Sequence, residues 1–141
     1  ATKAAIEEGI VPGGGVALAK VAGQLTGRAG EANKEFAIGY SILIDALYAP
    51  LKQIAVNAGV GESGVLREVM ESKSNLHGYD ALNNKFVDMI RSGIIDPVKV
   101  TRTALENASS AAGILLTTEV AIADEPEKKT PPAPDMGGME Y

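Results

Sequence analysis

Three stretches of this chain carry residue types that could meet a ligand. The first is Gly13-Gly14-Gly15, set directly in front of an apolar helical pattern. Glycine inside a regular element costs about 0.5–1 kcal/mol relative to alanine, so the run calls for a reason. Bare backbone can approach a ligand closely, and a helix N-terminus favours an anion. A flexible helix entry is the plainer alternative. The second is Asp96, followed by Pro97. Asp reads as an N-cap and Pro as a first helical residue, while a carboxylate oxygen could also accept a hydrogen bond from a ligand hydroxyl. The third is Tyr79-Asp80-Ala81-Leu82, a short strand with one polar residue beside small and apolar ones. It could wall a flat ring, or be an ordinary hairpin arm.

Other chemistries find little support. Ser72 or Ser74, His77 and Asp80 supply the residue types of a nucleophilic triad, but a triad is defined by geometry and not by closeness in sequence. His77 reads as a solvated loop residue and Glu7-Glu8 as a solvated face. The chain holds neither G-x-x-x-x-G-K-[ST] nor a G-x-G-x-x-G after a strand. With no cysteine, disulfides and thiolate metal sites are excluded. His77 is the single histidine, so a metal would have to rest almost wholly on carboxylates. The net charge of -5 and the lack of a clustered basic face argue against nucleic acid. No apolar run approaches the ~20 residues of a membrane span, and no signal peptide is visible. The expectation is a soluble intracellular protein.

The elements that must position these residues are mostly helical. The 141 residues are 45% apolar but contain only four Tyr, two Phe and no Trp. The core is therefore expected from Ala, Val, Ile and Leu. "ATKAAIEEG" reads as a helix end stopped by Gly9, which makes the chain look like a fragment. Leu18, Val21, Ala22 and Leu25 share one helical face. After a polar turn at Thr26–Asn33, Phe36, Tyr40, Leu43, Ile44 and Leu47 form a second stripe. Pro50 should kink or restart that helix, with Leu51, Ile54, Ala55 and Ala58 continuing to Gly59. A shorter helix is expected from about Ser63 to Glu71. Tyr79 to Val87 reads as a hairpin around Asn83-Asn84, since Asn tolerates the left-handed conformation of tight turns. Asp96 starts the clearest helix, whose Ala104, Ala108, Ala111, Leu115 and Thr101, Leu105, Ala112, Leu116 make a broad face open to another helix. Glu119–Asp124 alternates and reads as a strand without an obvious partner in this chain. From Glu125 the Pro-rich, charged text should be disordered.

Taken together, "ATKAAIEEGIVPGGGVAL", "APLKQIAVNAG", "GYDAL", "GIIDPVKVTRTALENASSAAGILLTTE" and the closing "MGGM" resemble the C-terminal part of a group I chaperonin, the GroEL type. The resemblance runs from Ala1 to about Asp124. It implies a mainly α fold: the helical bundle of the equatorial ATPase domain, with a small β-hairpin and a C-terminal strand. Residues 1–9 would end a helix from the intermediate domain. Residues 10–124 would form the second half of the equatorial domain, and 125–141 a tail with Gly-Gly-Met. The equatorial domain of this family is built from both ends of the full chain.

The resemblance also implies a function: an ATP-hydrolysing chaperonin of the protein-folding isomerase class. Its partners would be identical subunits in two stacked seven-membered rings, a GroES-type co-chaperonin lid and non-native client proteins. Nucleic acid and membrane are not expected. The compartment would be a bacterial cytoplasm, or an organelle matrix or stroma. By the same resemblance, Gly14 lays its backbone against ATP and Asp96 bonds the ribose. Asp80, Ala81 and Leu82 line the adenine, with Tyr79 and Ile94 as pocket walls. The family usually reads Asn-Ala-Ala where this chain has Asp80-Ala81-Leu82, which removes an amide donor and adds bulk. The phosphate loop Gly-Asp-Gly-Thr-Thr, its Mg2+-binding aspartate and the water-positioning aspartate belong to other parts of the full chain. This chain alone is therefore expected to hold no catalytic residue and no ATPase activity. The competing classes are a helical structural or interaction module and an unrelated small nucleotide-binding domain.

Overall fold

The structure is a computed structural model that describes residues 1–28 and 33–125. Helix α1 (Thr2–Glu8) leads into strand β1 (Ile10–Pro12). Helices α2 (Val16–Leu25), α3 (Lys34–Asn57) and α4 (Glu62–Glu71) follow. Strands β2 (His77–Asp80), β3 (Lys85–Asp88) and β4 (Ile95–Pro97) precede the last helix, α5 (Val98–Thr117). The chain is thus mainly helical, with two small two-stranded sheets.

Helix α1 stops where expected. Gly9 adopts φ 84° and donates its N–H to the Ala5 carbonyl. Helix α3 starts on Asn33, whose side chain caps the Phe36 N–H at 2.8 Å. It then runs through Pro50 without a break. A proline N–H is missing there, so the Ala46 carbonyl loses its usual donor, but packing on both sides of Pro50 holds the helix: Leu47 and Leu51 are both buried.

The main core joins α2, α3, α4 and the hairpin through Val16, Ala19, Leu51, Ala55, Val65, Val69, Tyr79 and Met89. A smaller cluster of Ala22, Ile44 and Leu47 extends it along α2 and α3. On α2 the buried stripe is Val16, Ala19 and Ala22, while Val21 is exposed. The stripe is rotated from the expected Leu18–Leu25 face because α2 is gripped from two sides, by α3 and α4. The tight side faces α4, where a Cβ on Gly23 would run into the Met70 methyl.

The hairpin forms as read from the sequence, two residues longer at its start. His77 pairs with Asp88 and Asp80 with Lys85, leaving Ala81–Asn84 as the turn. Asn84 takes φ 51°, the left-handed value that the turn requires. His77 is therefore a strand residue and not a solvated loop residue. Its ring stacks on Phe86 at 5.6 Å, and its Nε2 lies 3.6 Å from Glu68 Oε1.

Two further expectations do not hold. Asp96 does not cap α5: it lies in β4, and the N-cap is Pro97 with no side-chain cap bond. The extended ladder with β1 takes Asp96 and moves the helix start one residue on. Glu119–Asp124 carries no strand and is exposed, since a strand needs a partner and none of the described residues supplies one. Glu7 and Glu8 are exposed, as a solvated face would be, and both also carry ion pairs. Glu7 pairs with Lys99 at 2.5 Å and Glu8 with Arg102 at 2.7 Å, which fastens α1 to the start of α5. The expected tail lies outside the described residues from 126 onward.

Helix α5 has no buried residue. It packs against α1 and β4 and stands off from α2 and α3 across a cavity of about 720 Å3. The face expected to receive another helix lines that space, with Thr101, Ala104, Leu105, Ala108 and Ala112 among its walls. Among the described residues no helix is long and apolar enough to cross a membrane.

Candidate functional site

The site is organised by a pairing that local sequence does not announce. Strand β1 meets β4 antiparallel, with Ile10 opposite Pro97, Val11 opposite Asp96 and Pro12 opposite Ile95. Beyond the ladder the Gly13 N–H donates to the Ile94 carbonyl at 3.0 Å, and on the other side the Val98 N–H donates to the Gly9 carbonyl at 3.1 Å. The glycine run is thereby held beside Asp96, and both Gly14 and Asp96 line the 720 Å3 cavity.

Each glycine has its own physical cause. A Cβ on Gly13 would lie 3.1 Å from the Ile94 oxygen, so the strand end would close only with a small shift of the Ile94–Ile95 backbone. Gly14 and Gly15 both have positive φ, 64° and 77°, where L-residues are strained. Gly15 is the N-cap of α2, and a Cβ there would sit 2.6 Å from the Leu51 backbone nitrogen. Close crossing of α2 over the middle of α3 is therefore possible only with glycine. A Cβ on Gly14 would meet the Met89 methyl at 2.9 Å and the Tyr79 carbonyl at 3.9 Å. The helix entry and the close approach of backbone are thus the same structure. The three glycines bend the chain tightly onto its own core; the Val16 N–H turns back onto the Gly13 carbonyl at 3.2 Å, which leaves the next N–H groups of α2 without an intrahelical acceptor.

Asp96 is half-buried. Among the described residues its carboxylate has no hydrogen-bond or ion-pair partner. A partly desolvated carboxylate without a partner is an acceptor waiting for a donor.

The hairpin residues divide differently. Asp80 is 7% exposed, and its carboxylate is consumed by the turn. One oxygen accepts the Leu82 and Asn83 N–H groups at 3.0 and 3.2 Å, and the other accepts the Asn83 amide at 2.7 Å. The Asn83 amide and these backbone bonds hold the carboxyl below its ordinary range. Tyr79 was expected as a pocket wall, but its ring is 4% exposed in the core. Its hydroxyl donates to Asn84 Oδ1 at 2.8 Å, so only its backbone faces the glycine turn. Ala81 is exposed, and Leu82 is 92% exposed at the hairpin tip. Ile94 is half-buried against the core and reaches the turn through its carbonyl. None of Tyr79, Asp80, Ala81, Leu82 or Ile94 lines the large cavity. The structure brings Gly14 and Asp96 together in one wall and sets the hairpin behind the turn.

Sequence reasoning missed two features. Met89 is fully buried beneath the turn, and nothing in its local pattern marks it. The Arg102–Glu8 contact is two-pronged, at 2.7 and 3.3 Å, and Arg102 also holds Glu106 at 2.8 Å. The Arg102 guanidinium lowers the Glu8 carboxyl, and the two glutamates raise Arg102. Only the Arg102–Glu106 part has a sequence signal, the i,i+4 spacing. Among the described residues no group of three or more His, Asp or Glu side chains could hold a metal ion.

The fold and this geometry have relatives. The structure is similar to the open-state monomer of a group II chaperonin from Methanococcoides burtonii, with a TM-score of 0.72 and 22% identity over 77% of this chain and 28% of that one. It is also similar to a group III chaperonin in the open state, with a TM-score of 0.77 and 28% identity over 84% of this chain and 25% of that one. The chain thus spans about a quarter of the length of these structures. The family model described as "TCP-1/cpn60 chaperonin family" matches residues 1–126. Nearly the whole described chain is covered by that match, and the chain belongs to the TCP-1/cpn60 chaperonin family.

Proposed function

We propose that this chain is the base and ribose side of the ATP pocket in the equatorial domain of a group I ring chaperonin. The observation that carries the reading is the opposition of Val11 and Asp96, which sets a half-buried, unpartnered carboxylate beside the glycine turn. ATP fits the donor set. Asp96 would accept from a ribose hydroxyl, and the backbone at Gly14 would lie against the nucleotide. Ile94 and the Asp80–Leu82 segment line no part of the large cavity, so adenine would reach past the glycine turn to stand against them. Because the Asp80 carboxylate already serves its own turn, adenine would be met by backbone and by apolar surface, not by that side chain. The cavity volume lies within the ~300–1,000 Å3 range of small-molecule sites. Part of it, along the Ala-rich face of α5, would be filled by helices from the first half of the full chain.

Bound ATP supplies the phosphoryl group whose hydrolysis drives the cycle. Its phosphates, Mg2+ and attacking water would be held by the first half of the chain and by the residues ahead of α1. ATP would favour one arrangement of the rigid domains by binding it more tightly, with coupling between identical subunits. The assembly would be two stacked seven-membered rings with a GroES-type lid, enclosing non-native proteins in a bacterial cytoplasm. The quoted motifs and the Gly-Gly-Met ending support group I within the family.

The test is ATP affinity of the full-length protein with Asp96→Ala and Asp96→Asn. Loss of a charged acceptor is worth about 1.5–3 kcal/mol, or roughly 10–100-fold in affinity. Melting should barely change, because the Asp96 side chain, unlike its backbone in the ladder with Val11, has no partner among the described residues. Unchanged ATP affinity in folded Asp96→Ala refutes the ribose assignment. Particle images showing seven-fold rings capped by a GroES-type lid would support group I, and rings of another symmetry would refute it.

A further inference from the structure

We propose that Met89 is the positioning residue of the nucleotide site, setting the distance between the glycine turn and the hairpin. This rests on the ATP reading above. Met89 is fully buried and is among the largest side chains with no solvent exposure. Its thioether fills the gap between two glycines, one in the turn that lines the cavity and one in the hairpin behind that turn. A Cβ on Gly14, in the turn, would lie 2.9 Å from the Met89 methyl. A Cβ on Gly78, in β2, would lie 2.6 Å from Met89 Cγ and 2.7 Å from its sulfur. Both walls of that gap therefore meet this side chain at a glycine, and on the hairpin side Val16 shares the contact, its Cγ2 lying 2.5 Å from where a Cβ on Gly78 would be.

The Met89 backbone joins the same parts. Its N–H donates to the Leu76 carbonyl, at the root of the hairpin, at 2.9 Å. Its carbonyl accepts the Ile94 N–H at 2.9 Å, and the Ile94 carbonyl accepts the Gly13 N–H at 3.0 Å. Two residues beyond Ile94, Asp96 opposes Val11. A continuous hydrogen-bonded path thus runs from the hairpin through Met89 to the glycine run and the Asp96 strand. Interiors at this density respond to a change of one methylene, so reshaping Met89 shifts Gly14 and Asp96 relative to Asp80–Leu82. Met89 touches no ligand. Its effect is exerted through the groups that do.

The experiment measures ATP and GTP dissociation constants of the full-length protein below the melting range of every variant. Met89→Ala is expected to weaken ATP about 10–100-fold, the scale of an ångström-sized misplacement, and to narrow the preference for ATP over GTP. Met89→Leu, close in volume, should recover to within about threefold of the parent. Val65→Ala is the control: Val65 belongs to the same core but lies on α4, which contributes to neither wall. It should lower the melting temperature with less than about a twofold change in ATP affinity. If Met89→Ala fails to fold, Met89→Ile keeps the bulk but moves the branch to Cβ, and should bind ATP more weakly than Met89→Leu. Equal ATP affinities of Met89→Ala and Val65→Ala, or of Met89→Ile and Met89→Leu, overturn the inference while leaving the ATP reading intact. A parent protein that binds no ATP overturns both.

Discussion

The glycine run can be dissected by a matched series of alanine substitutions. Gly15, Gly14 and Gly59 all have positive φ, at 77°, 64° and 74°. Each alanine therefore carries a similar left-handed penalty of about 1–2 kcal/mol, reduced by up to ~1 kcal/mol through the stiffer unfolded chain. The three differ in what the new methyl meets. At Gly59 it meets nothing within 4 Å, so the net loss should be about 1 kcal/mol. At Gly14 it lies 2.9 Å from the Met89 methyl, the terminal atom of a fully buried side chain, which gives less than a side chain in open space but more than backbone does. The loss should be slightly larger, about 1–2 kcal/mol. At Gly15 it lies 2.6 Å from the nitrogen and 2.9 Å from the Cα of Leu51, in the interior of α3, where only a shift of two helices relieves it. Overpacking adds about 1–3 kcal/mol, for a total near 2–4 kcal/mol. Thermal unfolding of the three full-length variants at one protein concentration should rank them Gly59→Ala, Gly14→Ala, Gly15→Ala in rising loss. A Gly15→Ala protein no less stable than Gly59→Ala would refute the close crossing of α2 and α3. Nucleotide binding is a separate readout. A folded full-length Gly14→Val protein should bind ATP more weakly, and unchanged affinity would make the run a helix entry alone.

Two further outcomes follow from the charged contacts. Glu8 has its carboxyl lowered from the ordinary 4.5 by Arg102, so its contribution is complete above about pH 4.5 and is lost as the pH falls through the lowered value. Amide exchange of α1 should accelerate below that pH in the parent, and should be fast and nearly pH-independent, once intrinsic exchange is allowed for, in Arg102→Met. Protection of α1 unchanged by Arg102→Met would show that the ion pairs do not hold it. Asp80 is lowered from 3.8, chiefly by the Asn83 amide, so the hairpin turn should likewise loosen only below about pH 3.8. Asp80→Ala should expose the Leu82 and Asn83 amides to exchange at neutral pH, and continued protection would refute the turn assignment.

The helices were legible because their apolar periodicity extends over several turns, long enough to survive local exceptions. Even Pro50, a local stop signal, was overridden by burial of Leu47 and Leu51. The hairpin was legible from Asn83-Asn84, since turn chemistry is local. Strands β1 and β4 were not, because three residues carry no period and their pairing joins segments far apart in the sequence. The same pairing explains the misread Asp96. Asp-Pro is a sound local signal for a helix start, but the ladder with Val11 claims the aspartate first. Alternation at Glu119–Asp124 marks what a strand would look like, yet hydrogen bonds to a partner make one. Within the site, spacing alone could not place Gly14 beside Asp96. Only resemblance to a family linked them, and it could not reveal that Asp80 spends its carboxylate on its own turn or that Met89 fills the gap beneath.

The position of Asp96 also bears on how a ligand there could be felt elsewhere. It lies in β4, one residue before the Pro97 N-cap of α5, and the first two turns of that helix carry Lys99 and Arg102, the residues that grip Glu7 and Glu8 of α1. The Val98 N–H bond to the Gly9 carbonyl closes the joint between the same two helices. A donor that drew Asp96 toward the cavity would therefore pull on the start of α5, where α1 is fastened. Exposed ion pairs are individually weak and exchange readily with water, whereas the core under the glycine turn is packed and resists displacement. The joint between α1 and α5 is thus the part that can yield while the turn, Met89 and the hairpin keep their spacing. A rigid site beside a soft joint is what a binding event needs if it is to move one helix against the rest. Ligand binding moves that helix only to the extent that the ligand binds the two arrangements unequally.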